Sequence, residues 1–228
     1  SIARLSADGN NIYVVGDHSL IRVIWNGESL SVDETFNARY RTLEGQTFGW
    51  DTVITDDDAW FLDNGEGTQL FTGSFRGVGI STAPLHLVRV NKQTGHVTLT
   101  EICGLPNGIV ANPPVVDTTR QIVVGFDSGN GVISGFDYDE DSVTLRWSHE
   151  QNHACHMLLL PETGQIITAD YRPELGCEQV VVLDITTGAE VARVSTTSPI
   201  QSAVFPAIGP RGDIYWCSMT TITRISVR

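Results

Sequence analysis

Between Asn112 and Trp147 the chain alternates short apolar runs with polar turn clusters: NPPVVDTTRQIVVGFDSGNGVISGFDYDEDSVTLRW. Pro114–Asp117, Gln121–Phe126, Val132–Asp137 and Ser142–Trp147 are the runs, with Thr118–Arg120 and Asp127–Gly131 turning between them. Apolar runs of this length, bounded by Gly, Asp, Asn and Ser, predict four strands in up-and-down antiparallel order. The same pattern recurs along the chain. Before it come SADGNNIYVVGDHSLIRVIWNGESLSVDETF, with Ser1–Leu5 as a first strand, and WDTVITDDDAWFLDNGEG followed by PLHLVRVNKQTGHVTLTEI. After it come HMLLLPETGQIITADYRPELGCEQVVVLDITTGAEVARV and AVFPAIGPRGDIYWCSMTTITRISV, the last with three strands only. Asp8-Gly9, Asn26-Gly27, Thr94-Gly95, Thr163-Gly164 and Thr187-Gly188 mark turns between strands. No segment shows a sustained helical period.

Five units result, at roughly 1–46, 47–108, 109–151, 152–199 and 200–228, within one domain. Four-stranded units recurring at roughly 40–50 residues are the sequence period of propeller blades. A lone four-stranded sheet cannot bury both of its faces, so such units stack around an axis. The expectation is an all-β fold, a β-propeller of four-stranded antiparallel blades. Its five visible units form either a small ring or part of a larger one. A sandwich or closed barrel explains the strands but not the recurrence.

Composition narrows the partners. The 228 residues include 14 Lys and Arg against 27 Asp and Glu, a formal net charge of −13. Such a field repels phosphate backbones and anionic lipid, so neither nucleic acid nor membrane insertion is expected. No apolar run is long enough to span a bilayer as a helix. The compartment is left open by these features, with an extracytoplasmic location slightly favoured.

VVLDITTGAEVARV, LVRVNKQTGHVTL and FPAIGPRGDIYW resemble the blades of quinoprotein-like and YVTN-type propellers. LPNGI at Leu105–Ile109 and GFDYD at Gly135–Asp139 are similar to pieces of gluconolactonase-type propellers, and HMLLLPETGQIITADYR is similar to a strand of arylsulfotransferase propellers. These resemblances imply fold far more than chemistry.

Propeller topology places the segments leading into each innermost strand on one face, with the loops joining second to third strands. Trp50 and Asp51 lead into the second unit, Asn112 into the third, His153 and His156 into the fourth and Gln201 into the fifth. The inserted Thr68–Ala83 loop adds Arg76, and the Tyr171–Glu178 loop adds Tyr171 and Arg172. These nine residues are the candidate ligand-binding face. Cys155 and Cys177 fall on the same face of one unit, where a disulfide would pin the Pro173–Glu178 loop; free buried thiols are the alternative. His149, His153, Cys155 and His156 match no zinc or haem spacing, and the tryptophans Trp25, Trp60, Trp147 and Trp216 read as packing between blades. The acidic Asp137–Ser142 segment lacks the glycine and glutamate of a calcium loop and reads as a hairpin turn.

The expected function is a non-catalytic recognition or scaffold domain binding a protein or small-molecule ligand at this face, without a cofactor. The alternative implied by the gluconolactonase-type resemblance is a calcium-dependent lactonase or esterase, with Asp51 and Asn112 helping to hold calcium. A quinone-cofactor dehydrogenase is a third reading, for which Trp50 is the one stacking candidate.

Overall fold

The computed structural model describes all residues except 1–2, 47–48, 50, 67–80, 111, 153–155, 197–204, 218–220 and 227–228. The described residues form five antiparallel sheets and no helix. The first sheet holds β1 (Arg4–Leu5), β2 (Asn11–Val15), β3 (Ser19–Trp25) and β4 (Leu30–Val32), with β5 (Ala38–Arg39) beside β4 on the same edge of β3. The second holds β6 (Val53–Ile54), β7 (Asp58–Leu62), β8 (His86–Asn91) and β9 (Val97–Glu101). The third, in order, is β10 (Val115–Asp117), β11 (Ile122–Asp127), β12 (Val132–Tyr138) and β13 (Val143–Glu150). The fourth is β14 (Leu158–Leu160), β15 (Gln165–Arg172), β16 (Cys177–Asp184) and β17 (Glu190–Ser195). The fifth stops at three: β18 (Phe205–Ile208), β19 (Ile214–Cys217) and β20 (Ile222–Ile225).

Turn chemistry explains why the strands break where they do. In blades 2 and 4 the last turn begins with Asn91 or Asp184. The side-chain oxygen of each accepts the backbone N–H groups two and three residues on, and a threonine hydroxyl as well. Each turn closes at Gly95 or Gly188 with φ of +74° and +71°, a conformation that costs glycine nothing. Asp139 does the same for the acidic hairpin, accepting from Asp141, Ser142 and the Ser142 hydroxyl, so that segment is a turn as expected.

Neighbouring blades bury their facing surfaces against each other, so blades 2, 3 and 4 are covered on both faces. Tyr13, Val15 and Leu20 of blade 1 meet Ala59, Phe61, Val88 and Val90 of blade 2. Trp60, Leu62 and Leu87 on the opposite face of blade 2 meet Val123 and Phe136 of blade 3. Ile122, Val124 and Phe126 meet Ile166, Val181 and Leu183 of blade 4, and Ile167, Ala169 and Val180 meet Ile214 and Trp216 of blade 5. The first strands of neighbouring blades adjoin, β1 by β6 and β10 by β14, while the fourth strands β4, β13 and β17 are largely exposed. First strands are therefore innermost. Glycine permits close approach at Gly125, where a Cβ would lie 2.4 Å from Ile102 of the preceding blade.

Three expectations are corrected. The Tyr171–Glu178 segment is not a long loop: Tyr171 pairs with Glu178 and Arg172 with Cys177, leaving only a four-residue turn. That turn closes itself through Leu175 N–H to Arg172 O and Gly176 N–H to Pro173 O. Cys177 is accordingly a free, half-buried thiol committed to the strand ladder, and the expected bridge to Cys155, a residue outside those described, is not made. Trp60 and Trp216 are fully buried between blades, but Trp25 is 38% exposed on a face that no blade among the described residues covers.

Candidate functional site

Asp51 and His156 each stand two residues ahead of an innermost strand, β6 and β14, and Asn112 stands three ahead of β10. Arg4 lies within β1 itself. These four side chains come from four successive blades. Arg4 Nη2 donates to Asp51 Oδ2 at 2.8 Å, and Asp51 is only 1% exposed while the Arg4 side chain is about half exposed. His156 is half-buried, and burial lowers its pKa. The Asp51 charge works against that shift and the Arg4 charge works with it, which places all three within electrostatic reach.

The polar inventory of this group is incomplete. Asp51 Oδ1 is buried without a partner, as is the hydroxyl of Thr52 beside it. Asn112 is 1% exposed, and neither its Oδ1 nor its Nδ2 has a hydrogen-bond partner. Buried polar atoms in folded proteins are nearly always satisfied, and each one that is not costs roughly 1–3 kcal/mol. A carboxylate oxygen, a hydroxyl and a complete amide left unpaired at the heads of adjacent innermost strands have the chemistry to receive donors and acceptors from a bound molecule.

Of the other expected face residues, Trp50, Arg76, His153 and Gln201 lie outside the described residues. Tyr171 and Arg172 are described, and their hydrogen bonds and ion pairs with other described residues lie within blade 4. Arg172 pairs with Asp170 at 2.8 Å, and the Tyr171 carbonyl accepts from Asn152 Nδ2 at 3.0 Å. The geometry thus brings Asp51 and His156 together, sets Asn112 at the head of the blade beside them, and leaves Tyr171 and Arg172 in their own blade.

Two sets of residues carry more of the site than sequence reasoning assigned them. Arg4 is one; its signal is a charged residue in an innermost strand. The other is a set of aspartates near the ends of the second strands in FLD, GFD and TAD: Asp63, Asp127 and Asp170, all buried. Asp63 accepts the His86 backbone N–H at 2.7 Å, its ring Nδ1 bonds at 2.9 Å, and Gln46 donates at 2.9 Å. Asp170 accepts the Asn152 backbone N–H at 2.9 Å, and Asp127 accepts from Asn130 and, more weakly, from Ile109. These carboxylates tie the face-forming segments to the blade ends, and burial raises the pKa of Asp127 against its hydrogen bonds from Asn130.

Solved structures of other proteins share this architecture. A luciferin-regenerating enzyme superposes with a TM-score of 0.60 at 14% identity, over 95% of this chain and 69% of that one. BamB from Moraxella catarrhalis gives 0.58 at 15%, over 95% and 54%. The WD40 domain of Toxoplasma gondii coronin gives 0.62 at 8%, over 95% and 55%. The fold is a β-propeller. The chain spans roughly half to two thirds of the length of these structures. No family model matches the chain, and no curated protein sequence does.

Proposed function

We propose that the protein is a non-catalytic recognition domain, binding a small polar ligand or a short segment of a partner protein where the innermost strands of its blades begin. Asn112 carries this reading: a buried amide with both atoms unpaired is a cost to the fold that a ligand would relieve. Arg4 and Asp51 supply a charge of each sign, held in place by their own bond, so the described group is close to neutral and suits a neutral or zwitterionic ligand. Trp50, Arg76, His153, His156, Tyr171, Arg172 and Gln201 belong to the same proposed face. The test is thermal unfolding against neutral sugars, free amino acids and short peptides. A binder raises the melting temperature in proportion to ln(1 + [L]/Kd), and Asn112→Leu abolishes the rise. A panel that leaves wild type and variant equally unmoved counts against the reading.

A calcium-dependent lactonase would draw on Asp51 and Asn112 for its ion. Calcium takes about six to eight oxygen ligands. The described group offers one unpaired carboxylate oxygen and one amide oxygen, with the Arg4 guanidinium 2.8 Å from the other carboxylate oxygen. Among the described residues no three His, Cys, Asp or Glu side chains converge to share a metal. The donors among the described residues fall short of a calcium shell, which favours recognition as the reading.

A further inference from the structure

The two end blades carry faces built like the interfaces inside the arc. By strand register, Ile12, Val14, Ile21, Val23, Trp25 and Val32 share one face of blade 1. None is buried: Ile21 and Trp25 are 38% exposed and Val32 is 60% exposed. The corresponding positions of blade 2, Ala59, Phe61, Val88 and Val90, are each 0% exposed because blade 1 covers them. The face is therefore patterned for a neighbour that the described residues do not supply. At the other end, Tyr215 opposes Arg224 as Trp60 opposes Arg89 in blade 2. Trp60 is covered by Tyr138 of the next blade, ring centroids 4.9 Å apart, whereas Tyr215 is only half-buried and Ile222 on its face is 74% exposed. Among the described residues no strand pairs with the outer edge of β20.

If five blades closed a ring, these two faces would cover each other. They do not. We infer that the exposed face of blade 1 is an inter-blade surface whose occupant is a further four-stranded propeller blade of the same polypeptide, so that these five blades are an arc of a larger ring. Three observations support that occupant over any other. The face continues the series of four interfaces already formed between blades, with the same positions apolar. The edge of β20 asks for a strand, which a blade-completing segment provides. The propellers on which the chain superposes are longer than it, the chain covering 69%, 54% and 55% of their lengths. A contiguous apolar sheet face is otherwise an aggregation liability, and propellers remove it by closure.

The test is thiol labelling in the full-length native polypeptide. Ile21→Cys and, separately, Val32→Cys are compared with Leu145→Cys, a control on the outer strand of blade 3 that is 61% exposed. Labelling by a maleimide is read by mass on the peptide carrying each site. Expected is full labelling at 145 and loss of labelling at 21 and 32 until the protein is denatured, with the protein monomeric by light scattering. Labelling of 21 and 32 at the control rate would mean an open face and overturn the inference. Protection that appears only as protein concentration rises, together with a dimer, would assign the face to a second copy and overturn it equally. Val32→Cys removes little packing, so its folding is not in question.

Discussion

Replacing Asn112 with leucine should stabilise the protein while destroying its proposed binding site. Asn112 is 1% exposed and neither amide atom has a partner, so the folded state carries the desolvation cost of a whole amide. That cost is about 1–3 kcal/mol, and leucine, close to asparagine in shape, removes it and adds about 1 kcal/mol of apolar burial. The expected change is a gain of about 1–3 kcal/mol after allowing for imperfect fit. For a chain of this size each kcal/mol moves the melting temperature by about 2–4 °C, so a rise of about 2–12 °C should appear in calorimetry. Asn112→Asp is the companion variant: a charge with no partner in the same place should destabilise by several kcal/mol. A gain of stability at the expense of binding is the signature of a residue kept for function. A loss exceeding about 1 kcal/mol in Asn112→Leu would refute the reasoning, because it would mean the amide is satisfied in solution and holds the fold.

Arg4→Met leaves the buried Asp51 carboxylate without its cation, and should cost about 1–3 kcal/mol in urea unfolding, less than for a fully buried pair because Arg4 is half exposed. At His86, burial opposes protonation but the hydrogen bond and charge of Asp63, with Glu101, outweigh it, so the pKa is raised. The stabilisation from this pair is then fully present below the ordinary histidine value of 6.5 and is lost as pH rises through the higher folded-state value; the melting difference between wild type and His86→Gln should shrink as pH is raised above 6.5. Gly135→Ala places a Cβ 2.3 Å from the Trp147 indole, which donates to Ile185 O at 2.8 Å, and should cost about 1–3 kcal/mol with a change in tryptophan fluorescence. Burial and the neighbouring Asp127 push the Cys103 thiol to about 11, against the Leu105 backbone, so iodoacetamide near neutral pH should leave Cys103 unmodified until the protein unfolds.

How legible this was in the sequence varied with the range of the interaction. The strands around Val123 and Phe136 emerged within a few residues of their expected bounds, because alternation and turn dipeptides are local signals. The three-strand ending of the last unit was legible for the same reason. Tyr171–Glu178 was misjudged because Pro173 and Gly176 mark a turn without saying how tight it is; the ladder from Arg172 to Cys177 is set by pairing across the sheet. The Cys155–Cys177 bridge failed with it. Trp25 shows the opposite limit. Its apolar character did mark an inter-blade face, but exposure depends on whether a neighbour is present, and that is a property of the ring rather than of the strand. Asp51 and Asn112 were legible as positions in a repeat; that their polar atoms lack partners was not, since satisfaction depends on the surrounding fold.

Repetition also separates what the scaffold requires from what it does not. Register makes Arg4 the counterpart of Val53, Val115 and Leu158: each pairs with the matching residue of its second strand, Tyr13, Trp60, Val124 and Ile167. Three blades place an aliphatic side chain there and one places an arginine, so the fold does not need the charge. The aspartates near the ends of the second strands behave in the reverse way. Asp63, Asp127 and Asp170 recur at one register position in three successive blades, where blade 1 has Gly16, and each accepts a backbone N–H, which is a scaffold role. Asp51 and His156 again occupy one position with unlike chemistry. A side chain that varies among equivalent blades, and that leaves buried oxygens unpaired when it does, answers to something other than folding. Replacing Arg4 by the valine of its neighbours tests that division. Stability should fall only by what Asp51 loses, and restoring neutrality with Arg4→Val and Asp51→Asn together should recover most of it, while binding at the face stays lost.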